Sequence, residues 1–264
     1  MTDWLAVGRA LADDARRVLV DLPTRVEREP IVGTGMGGDE TTAIDEAVER
    51  GAIARLDELL GDYTLVSEEI GEVVKGRGAP RLVLDPIDGS LNAKRGVPHF
   101  CLSLAVADGA TMKDVEFGYL YDFGSGEEWT ARRGEGAWVD GNRLGGVRPK
   151  DAIELLAFEA TLTSSIAEKA SAVVGVAHRL RVMGSLALAL CNLAAGRLDG
   201  VCSLKGARSV DIAAAQLLIR EVGLAIELFE DPPFDDAPLD LEPRSRVVAA
   251  ANAELCGRLA AALA

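Results

Sequence analysis

The sequence predicts two lobes of mixed character, α+β passing into α/β, and three observations carry that expectation. Apolar residues recur at helical spacing near the N-terminus, a run of strand-like segments ended by turn dipeptides follows, and beyond about residue 150 helices alternate with strands. A chain of 264 residues is long enough for a large core and suits one bilobal unit or two closely packed domains.

Trp4, Leu5, Leu11, Ala15, Val18 and Leu19 share one face of a helix over 4–20, and Ile44, Val48, Ile53, Leu56 and Leu59 or Leu60 mark a second over 45–60. Between them "EPIVGTGMGGDETTAID" holds four glycines from Gly33 to Gly38, which predicts a mobile loop or tight turns. "YTLVSEE" and "RLVLDP" read as strands, followed by "FCLSLAVADG", "VEFGYLYDFG", "EEWTARRG" and "GAWVDGNRL". Asp-Gly at 108–109 and 140–141 ends two of these, as in antiparallel hairpins. A junction is expected near 143–152, "RLGGVRPKDA", dividing lobes at 1–145 and 146–264. Beyond it, "ELLAFEA" is strand-like, "SLALALCNLAAG" is a helix stopped by Gly196, and "DGVCSL" is a strand. "VDIAAAQLLIREVG" is a helix stopped by Gly223, and "RVVAAAN" is a strand before the last helix.

Lys and Arg number 28 against 42 Asp and Glu, a formal charge of −14, so a sequence-independent grip on nucleic acid is not expected. An anionic ligand would need local help from metal ions or a few clustered basic side chains. Cys101, Cys191, Cys202 and Cys256 lack CxxC spacing and sit in apolar runs, which predicts buried free thiols in a reducing cytoplasm. The N-terminus mixes charged and apolar residues unlike a signal peptide, and no apolar run approaches the ~20 residues of a membrane span.

The segment "LVLDPIDGSLN" holds the chemistry. Asp85 would end a strand, where α/β-type sheets place ligands, and Pro86 would fix the chain leaving it. Asp88 precedes Gly89 and a short helix start, so the two carboxylates are either turn and cap residues or ligands. Glu68 and Glu69 end another strand-like run, and adjacent carboxylates at such a junction suit an oxygen site for a hard divalent cation. Neither His99 nor His178 lies in an acidic motif, so neither is read as catalytic.

The ordered set "Ile44-Asp45", "Ser67-Glu68-Glu69", "Asp85-Pro86-Ile87-Asp88-Gly89-Ser90" and "Val210-Asp211-Ile212-Ala213-Ala214" resembles the inositol monophosphatase and fructose-1,6-bisphosphatase superfamily. "GMGGDETTAID", "SEEIGEV", "DPIDGSLNAKRGVPHFCLSLA" and "LRVMGSLAL" look like its archaeal dual-activity group. The resemblance implies a layered αβαβα sandwich of the sugar-phosphatase type, with the site in a cleft between two lobes. It also implies Mg2+-dependent, lithium-sensitive hydrolysis of a small phosphate ester and a homodimer as the assembly.

By the resemblance, Glu68, Asp85 and the Ile87 carbonyl hold one Mg2+, and Asp85 bridges to a second completed by Asp88 and Asp211. The resemblance implies two or three such ions per site, the third weaker and also touching Glu68, with Mn2+ as a substitute for Mg2+. Asp45, with Thr42 or Ser90, orients or deprotonates the attacking water. Gly89 and Ser90 face the reacting phosphate, while Arg181, Ser185, Lys205 and Arg208 are candidate substrate contacts, with surface charge or helix capping as their alternative. Asp88 and Asp211 lie 123 positions apart, so both lobes must close the site. The chain departs from the pattern at Leu204, where animal inositol monophosphatases carry a Glu that contacts inositol hydroxyls. That departure favours a sugar bisphosphate, so the expected substrates are fructose 1,6-bisphosphate and inositol 1-phosphate. 3′-Phosphoadenosine 5′-phosphate is the nearer alternative, and a non-catalytic regulatory relative the more distant one.

Overall fold

A computed structural model describes residues 2–264 apart from 37, 39, 148, 149, 151, 160, 161, 243 and 244. Helix and sheet layers alternate, and the order follows from which face of each strand is apolar. Among the described residues the larger sheet has eight strands, in the order Asn142–Arg143, Gly136–Val139, Glu128–Arg132, Val115–Asp122, Cys101–Ala107, Arg81–Asp88, Tyr63–Ser67 and Gly71–Lys75. Neighbours pair antiparallel except Tyr63–Ser67 with Arg81–Asp88, which are parallel. Asp140 and Gly141 both have positive φ and close the hairpin between Val139 and Asn142, as the Asp-Gly signal predicts.

Successive side chains of a strand face opposite ways, and both faces of this sheet are covered. Leu65, Leu82, Leu84, Leu102 and Leu104 pack under the helices Trp4–Asp21 and Ala43–Leu59. The intervening Val66, Val83, Cys101 and Ala105 pack on the other side against the helices Leu186–Ala194 and Ser209–Glu221. Two adjacent residues show how close these approaches are. A Cβ at Gly118 would lie 2.7 Å from the Ala214 carbonyl oxygen of the Ser209–Glu221 helix, and one at Gly8 would lie 2.5 Å from the ring of Tyr119. Small residues therefore let one helix settle on each face of the same strand.

The smaller sheet has five strands among the described residues, in the order Ala177–Arg181, Ile153–Glu159, Gly200–Ser203, Val247–Ala250 and Ala225–Leu228. The first three run parallel and the last two join antiparallel. Val201, Val247 and Ala249 complete the core around the two middle helices. Phe158, Cys202 and Val248 on the opposite face pack against Leu255, Cys256, Leu259 and Leu263 of the last helix, Ala253–Leu263. Helix, sheet, helix, sheet, helix is the layered sandwich that the resemblance implies. All four cysteines are buried and free. No helix among the described residues is long and apolar enough to cross a membrane.

Four differences from the sequence reading have physical causes. Within the glycine-rich stretch, Ile31–Thr34 pairs antiparallel with Glu40–Thr42 instead of forming only a loop; residues 37 and 39 of that stretch lie outside the described residues. Its β-branched residues favour extended backbone, and the glycines between them mask the signal. Pro86 does not end its strand: pairing resumes at Asp88 opposite Cys101 after an irregularity that places Pro86 where no ladder bond is needed. Asp88 does not cap the next helix, because Gly89, at φ 95°, is the N-cap of Ser90–Arg95. The sequence also hid the strand Ala177–Arg181, "AHRLR", an exposed edge whose polar residues show no apolar alternation.

Candidate active site

The ends of strands from both sheets meet the starts of four helices around a cleft of about 200 Å³. Asp45, Glu68, Asp85, Ile87, Asp88, Gly89, Ser90, Lys205, Arg208 and Asp211 all line it. Asp85 follows the buried run Leu82, Val83 and Leu84, so strand burial carries a carboxylate to the cleft floor, where Asp85 is only 2% exposed. Its Oδ1 accepts the Ile87 N–H at 2.9 Å, and this bond sets the bend that brings Asp88 round. Gly89 is required at that bend. Its φ is positive, and a Cβ there would lie 3.1 Å from the Gly184 carbonyl.

Each carboxylate is held by a neighbour. Asp88 Oδ2 accepts both the Ser185 hydroxyl and the Ala187 N–H, the latter at 2.8 Å. Asp211 Oδ2 accepts the Arg208 N–H at 2.6 Å at the start of its helix. Asp45 Oδ2 accepts the Thr42 N–H at 3.1 Å and the Thr42 hydroxyl at 2.5 Å, whereas its buried Oδ1 has no hydrogen-bond partner among the described residues. The Ile87 carbonyl accepts the Ser90 hydroxyl at 3.1 Å. The Glu68 carboxylate pairs with the Arg208 guanidinium, which also stands 3.7 Å from Asp211.

Among the described residues, eight carboxylates and two cations line the cleft. Burial, and then the neighbouring Glu68, Asp88 and Asp211, push Asp85 well above the ordinary carboxylate range. Burial pushes Glu68 up to about 8 against the pull of Arg208, and pushes Asp88 up to about 6 against its bond from Ser185. Asp45 is raised by burial despite its Thr42 bonds. Burial disfavours the charge on Arg208, but Asp211, Glu68 and Asp85 outweigh it and hold the guanidinium above its usual value. A set of buried anions that resist ionising together is short of positive charge. Among the described residues no three Asp, Glu, His or Cys side chains converge as ligands on one point, and Arg208 stands between Glu68 and Asp211. Even so, the all-oxygen donors, the charge deficit and the orphaned Asp45 oxygen fit a hard divalent cation.

The structure does not bring every expected contact inward. Arg181 lies outside the cleft, exposed on the sheet edge, with its guanidinium on the Leu180 carbonyl. Ser185 does not line the cleft; its hydroxyl serves Asp88 and also accepts the Leu188 N–H as a helix cap. Thr42 acts through Asp45. The cleft gains Glu40, Glu69 and Glu159, which the ligand set omits. Glu159 had a readable signal: like Glu68, it closes a buried strand with a carboxylate.

Comparison with known proteins agrees with this architecture. The family model described as "Inositol monophosphatase family" matches residues 6–264. The chain is 32% identical over 262 residues to the fructose-1,6-bisphosphatase/inositol-1-monophosphatase of Thermococcus kodakarensis, covering 99% of this chain and 97% of that protein. It is 34% identical over 193 residues to the Nus factor SuhB of Salmonella typhimurium, covering 70% of each. The crystal structure of the MJ0109 gene product, an inositol monophosphatase–fructose 1,6-bisphosphatase, superposes with a TM-score of 0.84 at 25% identity, covering 99% of this chain and 100% of the other. The layered fold is that of the inositol monophosphatase type. The chain belongs to the inositol monophosphatase family.

Proposed function

We propose that this protein hydrolyses small phosphate monoesters with Mg2+, acting on the 1-phosphate of fructose 1,6-bisphosphate and on inositol 1-phosphate. One observation supports the reading above the rest: Asp45, Glu68, Asp85, Asp88 and Asp211, from distant parts of the chain, all face one cleft. Glu68, Asp85 and the Ile87 carbonyl are assigned to one ion, and Asp85, Asp88 and Asp211 to a second. Bound ions of this kind lower the pKa of water and neutralise a leaving oxygen.

The remaining work falls to the chain itself. Thr42 fixes one oxygen of Asp45 and leaves Oδ1 to take the proton of an attacking water. Gly89 and Ser90 line the wall on which the reacting phosphate would rest, and Lys205 adds positive charge there. Arg181 and Ser185 are kept as substrate contacts only by the resemblance, since neither lines the cleft. The division into lobes at 1–145 and 146–264, a homodimer and a cytoplasmic location belong to the same proposal.

Phosphate release across fructose 1,6-bisphosphate, inositol 1-phosphate and 3′-phosphoadenosine 5′-phosphate, with Mg2+ and with EDTA, tests it. The two sugar-type esters should be cleaved fastest, and only with Mg2+. Faster turnover of the adenosine bisphosphate would move the assignment to that substrate. No Mg2+-dependent release from any of the three would favour a regulatory protein akin in role to the Nus-factor relatives.

A further inference from the structure

Glu159 is 5% exposed and lies on the cleft wall, at the end of the strand Ile153–Glu159 in the smaller sheet. A buried carboxylate in a cleft already crowded with anions raises the site's electrostatic cost, so its position calls for a reason. Its Oε2 accepts the Gly184 N–H at 2.8 Å. Gly184 has a φ of 86°, and its turn is also held by Asn92, whose Nδ2 donates to the Met183 carbonyl at 2.7 Å. The next residue, Ser185, gives its hydroxyl to Asp88, and Ala187 gives its N–H to the same oxygen. A chain of hydrogen bonds thus runs from the smaller sheet through the 183–187 turn to a carboxylate at the end of an inner strand of the larger sheet.

We infer that Glu159 is a positioning residue: by gripping the Gly184 N–H it sets the turn whose Ser185 and Ala187 donors aim Asp88 into the cleft. The inference rests on the assignment of Asp88 as a metal ligand. Groups that orient a ligand from behind are typically worth about 10–100-fold in metal affinity. Nothing in the grip requires charge, because an amide oxygen can accept the same N–H. A shortened side chain cannot reach it.

Calorimetric Mg2+ titration of the folded protein, independent of turnover, tests this with Glu159→Gln, Glu159→Asp, Glu159→Ala and Asp88→Asn. Glu159→Gln should bind Mg2+ within about threefold of the parent, while Glu159→Ala and Glu159→Asp should bind about tenfold more weakly or worse. If Glu159→Ala fails to fold, the Gln and Asp pair decides by the same criterion. Parent-like binding by the shortened variants, or equal impairment in Glu159→Gln, overturns the inference while leaving Asp88 as a ligand. Parent-like binding by Asp88→Asn removes the ligand assignment and the inference with it.

Discussion

Arg208→Met probes the charge balance of the cleft directly. Arg208 is 5% exposed and stands between Glu68 and Asp211, whose side chains are 16% and 13% exposed, so little water replaces its charge. Removing one partner from a buried pair typically costs about 3–5 kcal/mol, because the other is left buried and uncompensated. Here the loss should lie near the lower figure, about 3 kcal/mol, since Glu68 with its pKa near 8 already tends to keep a proton at neutral pH and can shed its charge that way. Urea unfolding at pH 7 in EDTA, followed by circular dichroism, measures that loss. Added Mg2+ should then stabilise the variant more than the parent, because the ion supplies the charge that Arg208 did; binding at a hundred times Kd is worth about 2.7 kcal/mol. Unchanged stability in EDTA, or equal gains from Mg2+ in both proteins, would refute the view of the cleft as an anion cluster short of positive charge.

Three further outcomes follow from the same geometry. In EDTA the parent should lose stability as pH rises from about 4.5 towards about 8, because folded Glu68 keeps a proton that the unfolded chain has released. Asp88 adds to the loss between 3.8 and about 6, each retained proton contributing about 1.4 kcal/mol per pH unit, and saturating Mg2+ should flatten the profile. A stability curve in EDTA that is level or rising over that range would contradict the burial argument. Gly118→Ala should cost about 1–3 kcal/mol and weaken the Mg2+-induced thermal shift, since its Cβ would press on the helix that carries Asp211; an unaltered melting temperature would show that the helix yields freely. Asp45→Asn should lower kcat by about 10²–10⁴ with little change in KM for the sugar phosphate, and a purely KM effect in steady-state kinetics would remove Asp45 from the proton-transfer role.

Much of this molecule was legible in its sequence because its strongest signals are periodic or local. The face of Trp4, Leu11 and Ala15, the Asp140–Gly141 hairpin and the glycines ending the two middle helices each depend on a few neighbouring residues. The acidic segments could be grouped through their resemblance to a family, and the structure brings Asp45, Glu68, Asp85, Asp88 and Asp211 to one cleft. What stayed hidden depends on distant partners. Ala177–Arg181 is a strand only because Ile153–Glu159 offers it a ladder, and nothing in "AHRLR" announces that. Arg181 and Arg208 look alike in sequence, yet one lies on an exposed sheet edge and the other is buried at a helix start; only the packing separates them. Glu159 could be read as an acid closing a buried strand, but only its bond to Gly184, 25 positions on, shows how it reaches the site.

The central claim is that Asp88 and its neighbours hold the Mg2+ on which turnover depends. Phosphate release from fructose 1,6-bisphosphate by the parent and by Asp88→Asn, each with excess Mg2+ and with EDTA, tests it most directly. The parent should be active only with Mg2+, and Asp88→Asn should lose most turnover while unfolding at close to the parent's temperature, since the change removes charge at nearly constant shape. Full activity in Asp88→Asn, or equal parent activity in EDTA, would contradict the account.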